Sequence, residues 1–188
     1  HLRLDLHLLA QHWSLIRMYG TRVAEDVCRI IREDDLPIRL MLGAWIGSEP
    51  DDASREENRR ELANAIRITN AYPDVVIALN VGNETQIHWT GHPVARDAII
   101  TYLREARQSV RVPVTTCDDY NFWNKPESQA VAAECDFIGL HAYAMWNKQT
   151  LTDALEWTRD QIADVQRHHP DLPLAHCETG WATMKHTE

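Results

Sequence analysis

Two glutamates, Glu84 and Glu178, stand just behind runs of apolar residues. Glu84 follows Val75-Val76-Ile77-Ala78-Leu79 and the tip Val81-Gly82-Asn83. Glu178 follows Leu172 to His176 and leads Thr179-Gly180-Trp181. A lone acid behind a strand often serves only as a helix N-cap. Two acids at equivalent places on strands three steps apart suggest a pair across one mouth. In such a pair a protonated carboxyl donates to a leaving oxygen, and an ionised one attacks carbon. Carboxyls roughly 5 to 5.5 Å apart are what retaining glycoside hydrolysis requires. Aromatic area gathers in the same kind of place. Of seven Trp, five (Trp45, Trp89, Trp123, Trp146 and Trp181) follow apolar runs, and only Trp13 and Trp157 do not. A pyranose has an apolar face and a polar edge, so flat aromatic area with acidic acceptors suits it.

Other chemistries find less support. The ten His include His88, His92, His141 and His176, but none forms an HxH or HExxH pair. No metal and no cofactor are therefore expected. His168, His169 and His186 read as solvated. Cys28, Cys117, Cys135 and Cys177 form no CxxC pair and read as small buried apolar residues. Their spacing leaves a disulfide open. No GxGxxG or GxxxxGK[ST] occurs, and there are only seven Gly, which argues against a nucleotide fold. The 19 Lys and Arg against 28 Asp and Glu leave a net charge of −9. That balance argues against general nucleic-acid binding and fits a neutral or cationic ligand. No apolar run is long enough for a membrane span. The first residues lack the features of a signal peptide.

The elements that must position these groups alternate along the 188 residues. Six apolar runs read as strands: 15–18, 38–42, 75–81, 112–116, 137–140 and 172–176. Several lack polar alternation, as a strand buried on both faces does. Between them, residues 23–33, 56–71, 94–110 and 151–168 carry one apolar stripe at helical spacing, with a weaker case at 128–134. Pro37, Pro73, Pro113 and Pro173 stand shortly before strands, where proline stops a helix. Such alternation predicts a parallel sheet with crossover helices, as a doubly wound sheet or a (β/α)8 TIM barrel. In either, chemistry gathers beyond the carboxyl ends of the strands.

The phrases Val81-Gly82-Asn83-Glu84 and Cys177-Glu178-Thr179-Gly180-Trp181 resemble the two catalytic signatures of glycoside hydrolase family 17, in clan A. That family comprises β-1,3-glucanases and related glucan transferases. Ile16-Arg17-Met18-Tyr19, Leu42-Gly43-Ala44-Trp45 and Asp136-Phe137-Ile138-Gly139-Leu140-His141 agree with it. So do Val114-Thr115-Thr116-Cys117-Asp118 and Phe122-Trp123, and the resemblance covers nearly the whole chain. It implies a (β/α)8 barrel, a β-glucan substrate and the retaining mechanism. Glu84 would be the acid/base and Glu178 the nucleophile, with Asn83 bonding the 2-hydroxyl of the sugar at the cleavage point. Tyr19, Asp118, Tyr143, Trp146 and Trp181 would line sugar subsites. His141 would either bond a hydroxyl or cap its strand. A secreted or periplasmic setting is usual for such proteins.

A complete barrel has eight strands and usually about 250 residues. The chain shows six. Aligned to the family, they correspond to strands two to seven, and the segment 4–13 to the helix after strand one. Residues 1–188 thus read as a single catalytic barrel domain, incomplete at both ends. Hydrolysis and transglycosylation share the same intermediate, so both stay open. A truncated glucan-binding protein without turnover is the further alternative.

Overall fold

The computed structural model describes residues 1–183. Six parallel strands form one sheet in sequential order, from β1 to β6. They are β1 (Leu15–Arg17), β2 (Arg39–Ala44), β3 (Val76–Asn83), β4 (Val114–Asp119), β5 (Ile138–His141) and β6 (Leu174–Glu178). The main helices are α1 (Leu2–Ala10), α2 (Ala24–Glu33), α3 (Asp52–Ala71), α4 (Arg96–Ser109) and α7 (Ala154–His168). Between β4 and β5 the crossover breaks into short pieces. These are α5 (Tyr120–Trp123), a 3₁₀ turn at Pro126–Ser128 and α6 (Gln129–Ala132). This is a partial TIM barrel. Among the described residues no helix is long and apolar enough to cross a membrane.

The sheet curls strongly. In a flat sheet, five inter-strand steps of about 4.8 Å would hold the outer strands ~24 Å apart. Yet Arg17 on β1 donates to Glu178 on β6 at 2.6 Å. The carboxyl ends of the first and last strands therefore approach across the mouth.

Alternation sorts the side chains into two layers. Leu40 and Leu42 of β2 pack outward with Val27, Ile31, Leu62 and Ile68 of the helices. Met41 lies between them in sequence and points the other way. It joins Ala78, Cys117, Phe137 and Cys177 in a smaller inner cluster. Inside the curl space is short. A methyl group on Gly139 would fall 2.5 Å from the Cys117 sulfur and 2.8 Å from the Thr116 carbonyl oxygen. All four Cys are free. Cys28, Cys117 and Cys135 are buried, as small apolar residues would be, and Cys177 is partly buried.

The strands run further than their apolar runs. Asn83, Asp119, His141 and Glu178 are the last residues of their strands, and Asp118 precedes Asp119 in β4; none is a loop residue. Polar groups at a strand's end still complete the ladder when the barrel mouth solvates or pairs their side chains. The two histidines at 168 and 169 part company. His168 is partly exposed, but His169 is buried, its Nε2 lying 2.8 Å from the Trp123 carbonyl and 3.0 Å from Ser128 Oγ. It fills the space behind the broken crossover, where α5 and the C-terminus of α7 meet. His186 lies outside the described residues.

Candidate active site

Glu84 begins where β3 stops. Its backbone has φ +49°, in the left-handed region, and its N–H donates to the Cys117 carbonyl at 2.8 Å. Such a conformation is costly for a side-chain-bearing residue and turns the chain sharply off the strand. Gly82, two residues earlier, has φ +78°, and a methyl group there would meet Ile99 at 2.9 Å. Glu178 reaches the mouth differently, as the last residue of β6, paired in register with His141 of β5. The two carboxylates and the His141 ring converge, with one donor atom of each within 4.8 Å of the others.

His141 is fully buried between the acids. Its Nδ1 lies 2.9 Å from Glu84 Oε1, so one proton lies between them. Its Nε2 lies 3.3 Å from Glu178 Oε1 but makes no hydrogen bond. Glu178 is held from other sides. Arg17 Nη1 donates to its Oε1 at 2.6 Å, and Tyr143 Oη donates to its Oε2 at 3.1 Å. The second arm of Arg17 donates to Asn83 Oδ1 at 2.6 Å. One guanidinium therefore fixes the residue before Glu84 as well as Glu178 itself. Burial pushes the Glu178 carboxyl up, but His141 and Arg17 outweigh it, and the net direction is down. The neighbouring phenols go the other way. Burial and the Glu178 charge raise Tyr143, and burial with a hydrogen bond to Glu178 raises Tyr19. Both stay protonated donors beside the carboxylate.

These groups open onto a cavity of about 640 Å³. Glu84 and Glu178 line it with Asp119, Tyr143, Trp89 and Trp146, among others. Trp146 is 73% exposed, a broad aromatic face at the rim. Of the residues expected from sequence, Glu84, Glu178, Tyr143 and Trp146 meet in this cavity. Asn83, His141 and Tyr19 sit against that group, with Tyr19 beneath the Arg17 guanidinium at 4.6 Å.

Asp118 and Trp181 do not join them. Asp118 is fully buried, and its carboxylate accepts the backbone N–H groups of Gln86 and Asp119, each at 2.9 Å. Burial pushes it up to about 8. It braces the loop behind Glu84, and the next residue, Asp119, lines the cavity instead. Trp181 lies beyond β6, 40% exposed and outside the cavity lining. Trp123 is not on the rim either. It is fully buried and donates through Nε1 to the Gly139 carbonyl.

Sequence reasoning passed over Arg17, Asp119 and Tyr120 as site residues. Arg17 had a signal: a lone cation inside an apolar run, whose side chain must point into the barrel or out to water. Asp119 and Tyr120 had none, because the register of β4 decides which of two adjacent aspartates faces the mouth. Glu84, His141 and Glu178 are also the donor types that hold metals. Here Arg17 already supplies the positive charge at 2.6 Å from Glu178, in competition with a cation.

The chain belongs to the BtgE/BtgC glycoside hydrolase domain family, which matches residues 2–188. It is 23% identical over 194 residues to a glucan 1,3-beta-glucosidase of Schizosaccharomyces pombe, covering 95% of this chain and 58% of that protein. In fold it is similar to an endo-laminarinase from Formosa, with a TM-score of 0.84 at 19% identity, covering 98% of this chain and 62% of that one. It is also similar to a Rhizomucor miehei β-1,3-glucanosyltransferase mutant in complex with laminaritriose. There the TM-score is 0.78 at 23% identity, with 95% of this chain and 64% of that one covered. The chain thus spans about three fifths of the length of these relatives.

Proposed function

We propose that the chain acts as one catalytic domain, a retaining glycoside hydrolase cleaving β-1,3-glucosidic bonds. The observation that carries the reading is the pair of carboxylates facing one cavity, with an oxygen of each within 4.8 Å. So close an approach is nearer the tight pair of a retaining enzyme than the wider pair that inversion needs. The names of the relatives, a laminarinase, a 1,3-beta-glucosidase and a glucanosyltransferase bound to laminaritriose, support the linkage.

In this reading Glu178 is the nucleophile. Arg17 and Tyr143 hold both its oxygens, so it meets the anomeric carbon ionised and oriented. The bond from its oxygen to that carbon forms as the glycosidic bond breaks, and Glu84 gives its proton to the leaving oxygen. Glu84 then takes a proton from water, which displaces Glu178. His141, with its Nδ1 at 2.9 Å from Glu84 Oε1, holds that carboxyl in position through both steps. Asn83, whose Oδ1 is held by Arg17, bonds the sugar's 2-hydroxyl in this reading. Trp89 and Trp146 supply stacking area at the cavity wall.

The stereochemistry of the first product tests the mechanism. Laminari-oligosaccharide cleaved in an NMR tube should release the β-anomer first, and release of the α-anomer would exclude a glycosyl-enzyme. Two variants test the roles. Glu178→Ala should abolish turnover of every substrate. Glu84→Ala should slow glucan cleavage by roughly 10²- to 10⁴-fold, and far less for an aryl glycoside whose leaving group needs no proton. Equal losses on both substrates would remove Glu84 from the acid role. A sugar in place of water gives transglycosylation, read as products longer than the substrate.

A further inference from the structure

A second pocket of about 450 Å³ opens on the same rim, at the carboxyl ends of β1 and β2 and the first turns of α3. Trp45, the residue after β2, lines it and is 42% exposed. Its ring lies against His92, with centroids 4.7 Å apart, and His92 Nε2 is 2.7 Å from the Asn83 carbonyl. The wall of the pocket therefore reaches the residue before Glu84 through two side chains, Trp45 and His92. The cavity described above extends over the ends of β3 to β6, and this pocket extends over β1 and β2. The pair Asn83-Glu84 lies between them.

The walls are built rather than loose. Glu61 accepts from the Thr21 N–H at 2.8 Å, from Thr21 Oγ1 at 2.6 Å and from the Trp45 N–H at 3.3 Å. Asn58, 5% exposed, bonds both the N–H and the carbonyl of Gly47, at 2.9 and 2.8 Å. These bonds fix the loop that carries Trp45 against α3. Other polar groups lining the pocket are left over. Among the described residues the side chains of Arg22, Ser48 and Glu57 make no hydrogen bond, and neither does the Trp45 indole N–H. The lining sets an exposed indole among one cation (Arg22), two acids (Glu57 and Glu61), a hydroxyl and an N–H, a slight acidic excess. It suits a neutral ring with an apolar face and several hydroxyls.

We propose that this pocket is a distal subsite of the same cleft, holding a glucosyl unit removed from the cleavage point, with Trp45 as its platform. The proposal rests on the β-1,3-glucan reading above. A glucan bound there crosses Asn83-Glu84 to reach the main cavity, so the subsite favours long chains over short ones. If Trp45 only backed His92, its loss would disturb Asn83 and slow all substrates alike.

The test is kcat/KM on laminari-heptasaccharide against laminari-trisaccharide. Trp45→Ala should lower the ratio of long to short by roughly tenfold, the scale of one lost stacking contact. Ser48→Tyr leaves the indole in place and fills the pocket, and it should lower the same ratio. A ratio unchanged in both variants overturns the subsite, even if both rates fall together. If the protein releases no product, titration calorimetry with the heptasaccharide gives the same comparison, with affinity in place of rate. Binding by the wild-type protein that neither variant weakens overturns the subsite alone. No binding of any glucan overturns the functional reading and the subsite together.

Discussion

At the scale of single residues, Arg17 carries the sharpest consequence. Glu178 is partly buried, and burial by itself would keep its carboxyl protonated to higher pH. Its net direction is down because cationic neighbours win. A nucleophile must be ionised, so activity should persist below the usual carboxylate range and fall only as pH drops through the lowered value. Arg17→Met leaves the burial and removes one cation. The acid limb of the kcat/KM profile should then move toward neutral by about one pH unit. An acid limb in the same place would mean that Arg17 does not hold the nucleophile ionised. The stability counterpart has the same sign: a lowered carboxyl stabilises the fold above its unfolded value, and that contribution is lost as pH falls. The residues legible in sequence were those at fixed offsets from an apolar run, Glu84 and Glu178. Asp118 and Asp119 are not told apart by sequence, since both end a strand that is buried throughout, and only the fold says that Asp119 lines the cavity while Asp118 accepts from the backbone behind it.

At the scale of elements, all six strands and the four long helices were legible, since apolar runs and apolar stripes differ in period. Their ends were not. The strands extend past their apolar runs because Asn83, Asp119 and His141 stay in the ladder while their side chains pair at the mouth. Of the broken crossover from 120 to 132 only the weak case at 128–134 was legible, and it is present as α6 over Gln129–Ala132; the other pieces are too short to show a helical period. One contact between elements is tight enough to predict from. A methyl group on Gly43 of β2 would clash with the Met18 carbonyl oxygen and fall 2.6 Å from that of Tyr19. Both neighbours are backbone, so β1's exit must move, and Arg17 and Tyr19 with it. Gly43→Ala should cost about 1 to 3 kcal/mol in denaturant unfolding. It should also lower turnover in protein that remains folded by circular dichroism. Full activity with wild-type stability would show that β1's exit is looser than these contacts imply.

At the scale of the whole molecule, the machinery is divided between its firmest and its least supported strands. Every residue of β4 is buried, as is all of β3 except Ile77. In β1 and β6 no residue is fully buried, and among the described residues each pairs on one side only. Glu84 is thus anchored on the centre of the sheet, whereas Arg17 and Glu178 stand on its two outer strands. Their mutual bond at 2.6 Å is what joins those strands across the mouth. Local opening should follow this division, since backbone with few buried neighbours opens at lower free energy than the core. Amide hydrogen exchange followed by mass spectrometry should show β1 and β6 exchanging well before β3 and β4. Arg17→Met should hasten exchange in β1 and β6 together and leave β3 and β4 as they were. If only β1 responded, the bond would be a contact made by an already fixed β6. A joint response means that the ion pair which prepares the nucleophile also closes the curl of the sheet, so that catalytic geometry and the support of the outer strands are lost together.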